Sequence, residues 1–282
     1  MRIASLGVLV LLMVPAPVQG WGFSVHRFIM AEAIDRLPED LRRILEPHRV
    51  FLTEHSIDPD LWRTAGFEEE PPRHFLDLDA YGDYPFVALP QAYEAAVAKF
   101  GSSHVRRNGT LPWRAAEMHE KLVDAFRRLG TSRPGYARDD ALFFGAVLSH
   151  YLADGHVPFH AVLNYDGQLT NQRGIHARFE TALFERFRDR LRIEPPARAP
   201  LDALVPFVFE VLREGTRLVP RVLAADLEAL DGRRQYDDRY FERFFERTRV
   251  VLEARLGEAI AGVASAIAGA WEEGGRPTLG DR

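Results

Sequence analysis

The chain of 282 residues has no cysteine. It must therefore fold without disulfides, and thiolate ligation of a metal is excluded. Positive charge is not in excess: 36 Lys and Arg against 41 Asp and Glu leave a formal net charge of −5. That balance argues against a sequence-independent grip on nucleic acid, which needs a basic face. It leaves open a nuclease whose metals hold the phosphate. Alternation of the strand type is missing along the whole chain, which argues against a sheet. Long apolar runs are missing beyond the start, where Ile3–Val14 falls short of the ~20 residues a membrane-spanning helix needs.

That opening stretch reads as an export leader. Arg2 supplies a minimal positive region, an apolar segment follows, and "APVQG" ends with Val18 and Gly20 where a signal peptidase reads small residues. Residues 1–20 are expected to be a signal peptide, and the mature chain then begins at Trp21. The product is expected to be secreted or periplasmic, with no transmembrane segment after cleavage and no stable protein partner implied.

What is abundant is helical periodicity. From Phe241 onward, Phe244, Phe245, Leu252, Leu256, Ile260, Val263, Ile267 and Trp271 recur at three- and four-residue steps, one long core-facing stripe. Residues 24–37, 90–100, 112–129, 139–153, 175–191 and 201–217 also read as helices. No repeat or composition shift marks a boundary, so residues 21–282 are expected to form one all-α domain. About 273–282 are expected to fray. Residues 201–271 offer only packing.

The chemistry concentrates in "HYLADGHVPFH", residues 150–160. On a helix, His150 and Asp154 are four apart and share a face, and the apolar neighbours Val147, Leu148, Tyr151 and Leu152 bury it. Buried imidazoles and a carboxylate are costly unless something binds them. Gly155 and Pro158 end the helix, which lets His160 return beside Asp154. "GIHARFE" repeats the spacing with His176 and Glu180. Imidazole nitrogen and carboxylate oxygen are what zinc accepts. Upstream lie His74 in "RHFLDLD", Asp58 or Asp60 in "SIDPDLWR", and His26 in "WGFSVH". A free α-amino group at Trp21, with a pKa near 7.7–8, can lose its proton to a metal.

Trp21, His26, Asp60, His74, "HYLAD", His160 and "HARFE" together resemble the zinc-dependent phospholipase C and single-strand zinc nuclease superfamily. The resemblance implies an all-α fold with three Zn2+ in a cleft. Asp60, His74, His150 and Asp154 would hold one ion. His160, His176 and Glu180 would hold the second. The amino nitrogen and carbonyl of Trp21 would hold the third with His26, and Asp154 would bridge to it. His156 is spare by this count and is expected to orient a ligand. The implied activity is metal-assisted hydrolysis of a phosphodiester, with Asp60 and Asp154 catalytic and Asp60 accepting the proton of the attacking water.

The substrate divides two branches. Glu180 as last ligand, the short His160–His176 spacing and "HFLDLD" resemble the phospholipases, which favours a phospholipid. The short Trp21–His26 spacing and "DLWR", with Arg63 three residues after Asp60, resemble the nucleases and 3′-nucleotidases, which act on single-stranded nucleic acid or nucleotides. Phe75 matches a position where nucleases stack a base, yet an aromatic there can equally cover a choline. Asp77 and Asp79 can meet a base edge or a quaternary ammonium. The polar stretch around Asn164 is expected to line the cleft. The phospholipase reading leads, the nuclease follows, and a catalytically silent zinc-binding protein stands third.

Overall fold

The apolar stripe between 241 and 271 needs a long partner surface, and the fold supplies it with helices alone. The computed structural model describes residues 21–131 and 135–278, and among these residues there is no strand. The stripe lies within α12 (Asp238–Glu273), which buries Phe244, Leu252, Ile260, Val263 and Ile267 completely or nearly so. Asp237 caps this helix by accepting a hydrogen bond from the Tyr240 amide at 2.8 Å. Against α12 pack α1 (Phe23–Ile34), α7 (Leu111–Leu129), α8 (Ala137–Gly155) and α11 (Leu204–Leu230). Asp231 and Gly232, with φ of 53° and 71°, reverse the chain between α11 and α12. The single all-α domain expected from periodicity is what forms. No helix of the described residues is long and apolar enough to cross a membrane.

Short helices escape the periodic signal, because six or seven residues span barely two turns. α2 (Glu39–Leu45), α3 (Arg49–His55), α4 (Asp58–Thr64) and α6 (Ser102–Arg107) were not expected, whereas α5 (Tyr93–Phe100) was. α11 runs on to Leu230 instead of ending near 217. The helix expected over 175–191 is interrupted: α9 (Ile175–Ala177) passes into a π-helical turn, Arg178–Ala182, before α10 (Leu183–Phe187). Of the tail expected to fray, residues 274–277 fold back on α12, with Trp271 Nε1 donating to the Pro277 carbonyl at 3.0 Å. The expected signal peptide and residues 279–282 lie outside the described residues.

α8 is central because it is apolar nearly all round and touches α1, α3, α7, α11 and α12. Its C-terminal end is the floor on which the functional residues collect. The segment 75–110 is tied beside that end by the bond from Leu76 N to the His160 carbonyl at 2.9 Å, and its own two ends are joined by the bond from Asp77 N to the Asn108 carbonyl at 2.8 Å. Gly109 makes the close approach possible: its φ is 96°, and a Cβ there would meet the Phe75 carbonyl oxygen at 2.1 Å. Gly101 has a similar φ of 83° but faces open space. Gly101→Ala is therefore predicted to cost only the left-handed penalty, about 1–2 kcal/mol. Gly109→Ala adds an overpacking cost of about 1–3 kcal/mol. Equilibrium urea unfolding of the two variants checks this, and equal losses would contradict it.

Candidate metal centre

Asp154 sits on the last turn of α8 with no exposed surface, and four imidazoles converge on it. His150, one helical turn earlier, places Nε2 3.2 Å from Oδ2. His74, from the 3-10 turn Pro71–His74, places Nδ1 2.9 Å from the same oxygen. His26 of α1 lies 3.5 Å from Oδ1, and His160, brought back by the 3-10 turn Pro158–Ala161, lies 3.8 Å from it. His26 also stacks on His150, with ring centroids 3.9 Å apart. The i, i+4 pairing on α8 and the return of His160 after Pro158 both form as the spacing predicts.

The remaining candidates join from three further elements. Asp60, on α4, is fully buried, and Oδ1 lies 3.9 Å from His74 Nδ1. Asp58 instead turns toward His55, with Oδ2 2.7 Å from its Nδ1, so of the two aspartates Asp60 is the one inside. His176 on α9 and Glu180 in the π turn meet at 2.9 Å. Potential ligand atoms collect in three sets, each within 4.8 Å: His26, His150 and Asp154; Asp60, His74 and His150; His160, His176 and Glu180.

The donor chemistry tests whether these sets suit a cation. His150 Nδ1 lies 2.8 Å from the Ser56 carbonyl and His160 Nδ1 2.6 Å from the His74 carbonyl. A carbonyl only accepts, so each Nδ1 carries the proton and each Nε2 keeps its lone pair. Burial, followed by the neighbouring His150, pushes the His26 pKa well below the usual imidazole value. Burial likewise takes His160 down to about 3 and His176 to about 4. These rings are neutral at pH 7, the form that ligates metal. Burial and the charges of Asp154 and Asp60 raise the Glu180 carboxyl well above its usual range. Both nitrogens of His26 and His176 and both oxygens of Asp60 and Glu180 are buried without an aligned hydrogen-bond partner. Buried polar atoms are rarely left so. A divalent cation in each set would take one nitrogen of each imidazole and the facing carboxylate oxygens, and the donors fit such an ion.

Beside these sets opens a cleft of about 300 Å³, lined by His74, His160 and His176 together with Arg63, Phe75, Asp77, Phe159 and Tyr165. Arg63 Nη2 lies 2.7 Å from Asp60 Oδ1. Burial and the nearby Asp79 raise the Asp77 carboxyl to about 7. Two residues expected at the cleft serve its loop instead. Asp79 accepts from the Leu163 amide at 2.8 Å, and Asn164 accepts from the Leu169 amide at 2.8 Å. His156 departs further from expectation. Its Nδ1 donates to the Leu152 carbonyl at 2.7 Å, and its ring packs on Phe207 and within 3.1 Å of where a Gly262 Cβ would stand. The residue follows the end of α8, so its side chain falls on the α11–α12 side of the helix and none of its contacts is a ligand.

Glu70 is the residue the sequence reading missed. It is buried, accepts a hydrogen bond from Tyr151 Oη, and faces His74 Nε2 at 3.6 Å. Burial pushes its pKa up, but the bonds from His74, Tyr151 and Arg73 outweigh that and hold it at about 2. Glu70 and His74 are four apart, the same spacing rule that exposed His150 and Asp154. Trp21 is buried and donates from Nε1 to the Ala153 carbonyl at 2.8 Å, next to Asp154 in the chain.

The family model of zinc dependent phospholipase C matches residues 25–247, most of the chain. The chain belongs to the zinc dependent phospholipase C family. No curated protein matches it. Among solved structures this zinc dependent phospholipase C family member is similar to the alpha-toxin of Clostridium perfringens isolated from avian strain SWCP, at 14% identity and a TM-score of 0.54. The match covers 89% of this chain and 63% of the alpha-toxin chain, so the likeness is one of fold. Zinc is therefore the cation against which the donor sets are to be judged, and Glu70, facing His74 Nε2, is placed to hold that imidazole in orientation. Glu70→Gln is predicted to weaken zinc binding roughly 10- to 100-fold at one site, measured by competition with a chromophoric chelator. Unchanged affinity would show that Glu70 only fills space.

Proposed function

We propose that the chain is an exported phosphodiester hydrolase of the phospholipase C type, which releases a phosphorylated head group from a phospholipid. The observation that carries this reading is the gathering of three buried donor sets, two of which reach one cleft through His74, His160 and His176, beside Arg63, Phe75 and Asp77 on its wall. Membership of the family supports the lipid, and a net charge of −5 argues against a sequence-independent grip on nucleic acid.

Three zinc ions fit the donors. Asp60, His74, His150 and Asp154 would hold one, and His160, His176 and Glu180 a second. The set His26–His150–Asp154 shares two of its members with the first and is short of donors of its own. The anchoring of the Trp21 indole beside Asp154 supports the free amino group and carbonyl of residue 21 as the missing donors. Zinc held there would supply Lewis acidity, which lowers the pKa of water to about 7 and offsets charge on a phosphoryl oxygen.

The chain's own residues do the rest. Asp60 Oδ1 faces Arg63, while Oδ2 has no partner and is the oxygen that would take the proton of the attacking water. Arg63, ion-paired to Asp60 and lining the cleft, can donate to a non-bridging phosphate oxygen. Phe75, Phe159 and Tyr165 keep the cleft wall apolar, which strengthens those interactions. Asp77, buried with Oδ1 unpartnered, faces the space a cationic head group would fill.

Two zinc-loaded versions of the chain, one beginning at Trp21 and one at Gly20, test this together. The first is predicted to hydrolyse a phosphocholine diester and to leave single-stranded DNA and 3′-nucleotides intact. The second, whose Trp21 nitrogen is an amide, is predicted to lose one zinc by elemental analysis and most of the activity. Nucleotide release without phosphocholine release would transfer the chain to the nuclease reading. Full zinc content in the Gly20 version would refute the role of the terminal amine.

A further inference from the structure

Arg178 stands in the chain between His176 and Glu180, at the first position of the π turn. The Leu183 amide bonds back five residues to the Arg178 carbonyl, the mark of that wider turn. Such turns are rare and frequently sit at functional sites. Here the Arg178 side chain reaches a buried polar cluster. Its Nη2 donates to Asp226 Oδ1 at 3.0 Å and its Nε to Tyr240 Oη at 3.1 Å. Its Nη1 donates to the Arg173 carbonyl at 2.8 Å. Tyr240 Oη in turn donates to Asp226, and Gln172 Nε2 donates to Asp226 Oδ2 at 2.8 Å. Asp226 comes from α11, Tyr240 from α12 and Gln172 from the loop before α9. Asp226 and Tyr240 are fully buried.

A buried ion pair is a poor way to gain stability, because apolar residues of equal volume often do better. What it can do is fix geometry, since each bond has a direction. Gly174 fits that role as well: with φ of 82°, it passes so close that a Cβ would stand 2.9 Å from Arg178 Nη1. The guanidinium is thus clamped from α11, α12 and the loop, and the main chain on either side carries His176 and Glu180.

We propose that Arg178, Asp226 and Tyr240 are positioning residues that lock the π turn so that His176 and Glu180 face His160 as one metal-binding set. The two long helices are then part of the site's support and not packing alone. This rests on the reading that His160, His176 and Glu180 hold zinc.

Zinc affinities of the full chain, measured by competition with a chromophoric chelator, test it. Tyr240→Phe removes one hydroxyl and should fold. It is expected to weaken one zinc site roughly 10- to 100-fold and to leave the others within about twofold. In a His176→Ala background, the same substitution is expected to have no further effect, since the two act on one site. Leu252→Ala, a buried cavity variant on α12, is expected to lower thermal stability and keep every site. Wild-type affinities in Tyr240→Phe, or loss of the same site in Leu252→Ala, would overturn the proposal alone. A wild-type chain that takes up no zinc would overturn the metal reading and this inference with it.

Discussion

The carboxylate of Asp154 is the constraint on which the rest of the molecule depends. It is buried at the end of α8, with four imidazoles within 4 Å of its two oxygens. Burial alone would raise its pKa, but the surrounding imidazoles, His150 and His160 foremost with His74 Nδ1 bonded to Oδ2, hold it well below the usual carboxylate range. A charge so placed has to be neutralised, and the chain around it is organised to do that. α1 brings His26, the loop 71–77 brings His74, and the turn after α8 brings His160. The apolar surface of α8 and α12 provides the rigid frame in which these side chains can be held dry.

The structure also separates two kinds of task among buried polar groups. Atoms of Asp60, His26, His176 and Glu180 are left without aligned hydrogen-bond partners, and each belongs to one of the three donor sets. Glu70, Tyr151, Arg178, Asp226 and Tyr240 are bonded to each other or to the ligand-bearing segments. The first kind is unfinished without a cation, and the second supports it. Arg63 joins the two, since it pairs with Asp60 while lining the cleft.

How much of this the sequence discloses depends on range. Pairs four apart on a helix, such as His150 and Asp154, are legible because one turn sets their geometry. His160 is legible because Gly155 and Pro158 force a reversal. The long stripe of α12 reveals the all-α fold for the same local reason. α2, α3, α4 and α6 are too short to carry a period. The π turn is hidden, since the four-residue apolar steps Ile175, Phe179, Leu183 and Phe187 also suit an ordinary helix. The Arg178–Asp226–Tyr240 cluster joins residues up to 62 apart in the chain, and only the folded chain brings them together. His156 shows the opposite error: its proximity in sequence to Asp154 suggests a shared role, whereas the end of α8 sends its ring toward Phe207 and Gly262.

Diffraction at the zinc absorption edge, from crystals of the zinc-loaded chain starting at Trp21, tests the central claim most directly. Anomalous peaks are predicted inside the three donor sets, with Asp154 touching two of them. An absence of anomalous signal among these side chains, with zinc only on the surface, would contradict the account.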